Sequence, residues 1–209
     1  METMMEGKFI TFEGCEGVGK STQLKFLQEY LVSTEQEAVF TREPGGTPLA
    51  EKIRELILRE DMCAETEAQL FAAARIDHLN NLILPALREG KIVVCDRFLD
   101  SSVAYQGYAR GLGRDYVLGV NDYTVKTRLP DAVVFLDMDP LHSWRKQKGA
   151  VVENDRLEAE KDEFHLAVYN GFKELAASGD RYISVVPDVD KAVTAKKIRD
   201  ALIERGLIR

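Results

Sequence analysis

Apolar residues follow two alternating patterns along the chain. Short continuous runs of β-forming residues recur, and amphipathic stretches of helical period lie between them. The first run, Lys8 to Glu13, leads through a glycine-rich turn into a helix predicted from about Lys20 to Leu31. Leu24, Leu27, Tyr30 and Leu31 form its apolar face. A short second strand is predicted over Glu37 to Arg42, ending in the turn cluster Glu43-Pro44-Gly45-Gly46-Thr47-Pro48. Thr47 is placed to cap the next helix with Pro48 in its first turn, and Leu49, Ile53, Leu56 and Ile57 supply apolar spacing. A longer helical stretch runs from about Thr66 to Arg88. Leu70, Phe71, Ala74, Leu79, Leu82, Ile83 and Leu87 form its apolar face, and Pro85 is expected to bend or break it.

Ile92-Val93-Val94-Cys95 is apolar without alternation, as expected of a strand covered on both faces, and it ends in Asp96-Arg97. Residues 98 to 128 read as helical with breaks at Gly107, Gly111 and Gly113. A further buried strand is expected over Ala132 to Asp137, followed by a helix that leads into a charged segment. Helices from about Lys161 to Ala177 and Lys191 to Glu204 flank a last strand, Arg181 to Val186. Five strands separated by helices imply an α/β fold with a doubly wound parallel sheet, whose ligands bind at the strand carboxyl ends.

Composition narrows the partners. The 209 residues carry a net charge of −7, which argues against nucleic acid as principal partner while leaving room for a local basic pocket. No apolar run approaches the roughly 20 residues of a membrane span. The start, Met1 to Lys8, lacks the features of a signal peptide. Cys15, Cys63 and Cys95 lack metal-type spacing, so they read as reduced thiols of a cytoplasmic protein.

The candidate chemistry gathers at strand ends. Gly14-Cys15-Glu16-Gly17-Val18-Gly19-Lys20-Ser21-Thr22 fits the phosphate-binding loop, whose backbone N–H groups cradle phosphate at the start of a helix. Lys20 is then positioned for the β- and γ-phosphates of a nucleoside triphosphate and Ser21 for magnesium. Asp96 suits a magnesium-orienting carboxylate; a helix cap or an ion pair with Arg97 is the structural alternative. Arg42, Arg97 and Arg75 are candidate anion clamps, because a guanidinium fork matches phosphate. Phe71 shares a helix face with Arg75 and offers either a base platform or plain core packing. Glu13 and Glu16 serve magnesium, a sugar hydroxyl or nearby cations. Arg145, Lys146, Lys148 and Arg156 surround Gly149, as a solvated face or as a lid that brings cations to a transferring phosphoryl group. His78, His142 and His165 are scattered and receive no chemical role.

Four stretches together make the chain resemble the thymidylate kinase family: Phe12 to Thr22, Thr41-Arg-Glu-Pro-Gly-Gly-Thr47, Leu70-Phe-Ala-Ala-Ala-Arg75, and Asp96 to Gly107. The resemblance implies one nucleoside monophosphate kinase domain over residues 1–209, with a lid at about 145–157. It implies ATP as donor, dTMP as acceptor, magnesium, and a homodimer. By the same resemblance Phe71 would stack on thymine, Arg75 would bond a base carbonyl, and Ser102 would face the base edge. Tyr105 would crowd the ribose 2′ position, with Gln106 close by. Arg97 with Arg42 would grip the dTMP phosphate, and Glu16 would reach the 3′-hydroxyl. Glu13 and Asp96 would lie nearer the metal. Some members carry an arginine at the loop position occupied here by Gly17, so its absence points to cations supplied by the lid. A kinase for another monophosphate and a slow nucleotide-hydrolysing switch are the rival readings.

Overall fold

A computed structural model describes residues 7–143, 156–157 and 159–209. Five parallel strands, β1 (Phe9–Glu13), β2 (Ala38–Arg42), β3 (Ile92–Asp96), β4 (Ala132–Leu136) and β5 (Tyr182–Val185), form one sheet in the order β2-β3-β1-β4-β5. The register pairs Phe12 with Asp96 on one side of β1 and with Val134 on the other. β1 is therefore central, and the loops after β1 and β3 leave the same edge of the sheet side by side.

Alternation along the strands explains the double winding. Ile10 and Phe12 of β1 and Val94 of β3 point into one core cluster with Leu27, Leu31, Phe172 and Leu202. Those four come from α1 (Lys20–Ser33) and from the helices Asp162–Ala176 and Lys191–Glu204, which become α8 and α9 below. Phe9, Val93 and Cys95 point the other way, into a cluster with Leu79, Ile83 and Leu87. The central strands are buried on both faces, which is why they read as unbroken apolar runs.

α2 (Pro48–Arg59) packs against α3 (Ala64–His78), whose continuation carries Leu79, Ile83 and Leu87 into the second cluster. The Thr47 hydroxyl accepts the Ala50 N–H at 3.3 Å, so the predicted cap forms. The apolar face predicted for α2 is only partly buried. Ile57 is covered, whereas Leu49 and Leu56 are about half exposed.

Two predicted interruptions are absorbed instead. α3 passes through a π-helical turn, Leu79–Ile83, into α4 (Leu84–Arg88), so the helical path continues across Pro85. The wider turn bonds the Leu84 N–H to the Leu79 carbonyl immediately before the residue that has no N–H to give. Similarly, α5 (Leu99–Ser102) continues as a π-helical segment, Val103–Ala109, that contains Gly107. The break comes later, at 110–113, before α6 (Arg114–Val120) and α7 (Asp122–Thr127). After β4 the chain makes a 3-10 turn, Pro140–His142. α8 (Asp162–Ala176), β5 and α9 (Lys191–Glu204) complete the described fold.

Candidate active site

The loop after β1 curls because Gly14, Gly17 and Gly19 take φ of 136°, 70° and 101°, a region that side-chain-bearing residues rarely occupy. Lys20, the first residue of α1, folds back over it. Its ammonium donates to the Gly14 carbonyl at 3.0 Å and the Cys15 carbonyl at 2.8 Å. An ammonium has three donors, so one N–H is left for a ligand. Burial, reinforced by Arg97, lowers the Lys20 pKa against the pull of Asp96 and Glu16.

Glu16 to Thr22 line a cavity of about 910 Å³ above the strand ends. Gly14 and Cys15 do not line it; their carbonyls hold Lys20 instead. The Cys15 side chain is core filler, and burial pushes its thiol up to about 12.

The turn after β3 supplies the facing wall. Arg97 has φ 67°, a left-handed conformation unusual for a residue with a side chain. The turn is held at three points. The Arg97 N–H bonds the Phe12 carbonyl at 2.9 Å, and Glu13 accepts the Phe98 N–H at 2.8 Å and the Ser101 hydroxyl at 2.5 Å. The Arg97 guanidinium then donates to Glu16 at 2.9 Å and to Ser101 at 3.1 Å, with its centre 5.1 Å from the Tyr105 ring centroid. Tyr105 also donates its hydroxyl to Glu16. Burial raises the Glu16 pKa, but Arg97 and Lys20 outweigh it and the carboxyl ends below its ordinary value. One oxygen of Glu16 accepts both donors; Oε2 is buried with no hydrogen-bond partner, and His165 Nδ1 lies 3.8 Å from it.

Glu13 does not fit the metal role expected of it. It is fully buried, both its oxygens are occupied by the Arg97 turn, and it does not line the cavity. Asp96 does line the cavity, and its Oδ1 is buried without a partner. The structural alternatives for Asp96 are not realised: Phe98 is the residue that precedes α5, and no salt bridge to Arg97 occurs among the described residues. With the Ser21 hydroxyl on the same cavity, this orphaned carboxylate oxygen fits a magnesium ion. Such ions are held by one or two protein oxygens together with substrate phosphates. Among the described residues no group of three or more His, Cys, Asp or Glu side chains is placed to hold a metal ion.

The far end of the cavity carries Arg42, Phe71, Arg75, Ser102, Tyr105 and Gln106. Arg42, at the end of β2, is held bidentately by Glu51 at 2.7 and 3.1 Å, and that hydrogen bonding lowers the Glu51 pKa to about 2. Phe71 is half-buried and faces the cavity rather than either core cluster, so plain core packing is not its setting. Arg75 is 1% exposed and bonds Glu43, Asn121, Ser102 and the Phe98 carbonyl. Gln106 donates to Glu67 at 2.9 Å, and its Oε1 is buried without a partner.

The lid cations meet the site less directly. Arg145, Lys146 and Lys148 lie outside the described residues, as do Trp144 and most of the expected lid. Arg156 does not line the cavity. It donates to Glu67 at 2.6 Å and to the Ile57 carbonyl at 3.2 Å, beside a second Glu67 partner, Arg110 at 3.4 Å. Its charge is spent on a buried carboxylate, which corrects its expected catalytic role. Sequence reasoning missed Glu43, Ser101, Asn121 and His78. Glu43 stands within a motif already singled out for its turn, and His78 repeats the helical face of Phe71 and Arg75.

A phosphate-gripping loop on a parallel sheet, facing a second pocket of arginines beside an aromatic ring, defines a P-loop phosphotransferase with a separate acceptor site. Comparison with known proteins makes this specific. The thymidylate kinase family profile matches residues 12–202. The thymidylate kinase of Finegoldia magna is 50% identical over 173 residues, covering 81% of this chain and 85% of the relative. That of Bacillus velezensis is 41% identical over 207 residues, covering 97% and 94%. The crystal structure of thymidylate kinase from Ehrlichia chaffeensis superposes with a TM-score of 0.78 at 32% identity, covering 94% of this chain and 98% of that one. The chain belongs to the thymidylate kinase family.

Proposed function

We propose that the chain transfers the γ-phosphoryl group of ATP to dTMP, giving dTDP and ADP, with magnesium. The observation that carries this reading is the single cavity in which the phosphate loop faces Arg97, Arg42, Phe71 and Arg75. A nucleotide switch has no use for the second pocket.

The loop N–H groups and Lys20 hold the donor's phosphates, and the remaining Lys20 N–H meets the charge that builds on the transferring group. Arg97 and Arg42 hold the acceptor's phosphate. A dTMP phosphate oxygen forms the new P–O bond while the bond to the ADP leaving oxygen breaks. The acceptor is already an anion, so no general base is required. Magnesium, held by Asp96 and Ser21 with the phosphates, would neutralise β- and γ-phosphate charge. Phe71 stacks on the base, Arg75 and Ser102 read its edge, Tyr105 crowds the ribose 2′ position, and Glu16 Oε2, whose hydrogen-bonding capacity the protein leaves unused, accepts from the 3′-hydroxyl. Arg145 and Lys148 supply further cations to the transferring group.

Two wider readings accompany this one. A homodimer is supported by the family resemblance and by exposed Leu49 and Leu56 on α2, which packs against α3. A cytoplasmic setting is supported by three free cysteines, and no helix among the described residues is long and apolar enough to cross a membrane.

Phe71→Ala tests the acceptor assignment with little effect on the core. Loss of base stacking should raise KM for dTMP by about tenfold or more and leave KM for ATP unchanged. An unchanged KM for dTMP would remove Phe71 from the base site.

A further inference from the structure

We propose that Glu43, anchored by His78, is a positioning residue that fixes the Arg75 guanidinium so that one N–H is left to read the acceptor base. The inference rests on the dTMP reading above and adds how its base-reading group is set.

A guanidinium carries five N–H donors. In Arg75 four of them are already committed: Nε to Glu43 at 2.7 Å, Nη1 to Asn121 at 2.6 Å, and Nη2 to Ser102 at 2.9 Å and the Phe98 carbonyl at 3.2 Å. One donor on Nη1 remains, on a side chain that lines the cavity. A side chain this constrained presents that donor in one direction, and so donates to a carbonyl there and disfavours an amino group.

Glu43 is itself held. Its second oxygen lies 3.0 Å from His78 Nδ1. A carboxylate only accepts, so Nδ1 carries the proton, and Nε2 meets the Thr41 hydroxyl at 2.8 Å. His78 and Arg75 are fully buried and Glu43 nearly so, and an unpaired charge would be costly in such surroundings. Geometry leaves no slack around the histidine. A Cβ on Gly46 would fall 2.6 Å from both His78 Nε2 and Thr41 Oγ1. The spacing on α3 is equally economical: Phe71, Arg75 and His78 repeat at four and three residues and share one face, giving platform, reader and support.

Glu43→Gln keeps the shape but puts an amide N–H against either Arg75 or His78. In the full chain it should raise KM for dTMP by about tenfold to a hundredfold, the scale of one lost charge-assisted hydrogen bond. KM for ATP should not move, and kcat should stay within about threefold. His78→Asn, which weakens the support without touching Arg75, should shift KM for dTMP in the same direction by a smaller factor and serves as the test if Glu43→Gln does not melt cooperatively. A folded variant with unchanged KM for dTMP, or with kcat and both KM values altered alike, overturns the proposal. Absence of dTMP-dependent turnover in the unaltered chain would instead overturn the substrate reading, and this inference with it.

Discussion

Replacing Glu13 by Gln should make the protein more stable at alkaline pH and leave it unchanged at mildly acidic pH. Glu13 is fully buried beneath the Arg97 turn, and burial together with the nearby Asp100 carboxylate raises its pKa from 4.5 to about 7. Hydrogen bonds from Ser101 and Phe98 and the charge of Arg97 recover only part of that cost. The folded state therefore holds the proton more tightly than the unfolded chain. The stability gained is full below about pH 4.5 and is lost as pH rises through about 7. At pH 8 the gap amounts to about 3 kcal/mol of destabilisation. Glutamine resembles the protonated carboxyl: it carries no charge, still accepts the Phe98 N–H, and its amide can donate to the Ser101 hydroxyl oxygen. Relief of the gap of about 3 kcal/mol at pH 8 corresponds to a rise in Tm of roughly 6–12 °C for a chain of this size. At pH 5 the folded carboxyl is itself protonated and the remaining ionisation penalty falls below about 1 kcal/mol, so the two proteins differ little. Thermal and urea denaturation of both proteins from pH 5 to 8 measures the difference directly. Parallel pH profiles, or a variant less stable at pH 8, would refute the reasoning.

Lys20→Ala should lower kcat by about a hundredfold to a thousandfold in a dTMP-dependent ADP-release assay, with the fold intact by circular dichroism. Gly46→Ala should destabilise by about 1–3 kcal/mol in urea titration, because φ is 87° and the new Cβ meets His78 and Thr41.

The sheet was legible in the sequence because its inner strands are buried on both faces, so that runs such as Ile92 to Cys95 leave no polar alternation to confuse the reading. The phosphate loop was legible because its chemistry is local: glycines, a lysine and a hydroxyl at fixed spacing. The interruptions at Pro85 and Gly107 were misplaced because one extra residue per turn absorbs them, and nothing in the apolar pattern announces a π-helical turn. The half-exposed Leu49 and Leu56 show the limit of periodicity, which marks an apolar face without saying what covers it. Glu13, Glu43 and Arg156 were misread or missed for a common reason. Their partners lie 85, 35 and 89 positions away in the chain, so their roles exist only after folding.

The central claim is that this cavity accepts a pyrimidine deoxynucleoside monophosphate. Initial rates of ADP formation with magnesium-ATP and, in turn, dTMP, dUMP, UMP, CMP, AMP and GMP test it most directly. Phe71 with Arg75 for the base and Tyr105 against the 2′ position predict the highest kcat/KM for dTMP and little turnover of the ribonucleotides. A preference for a purine monophosphate, or ADP release that no monophosphate stimulates, would contradict it.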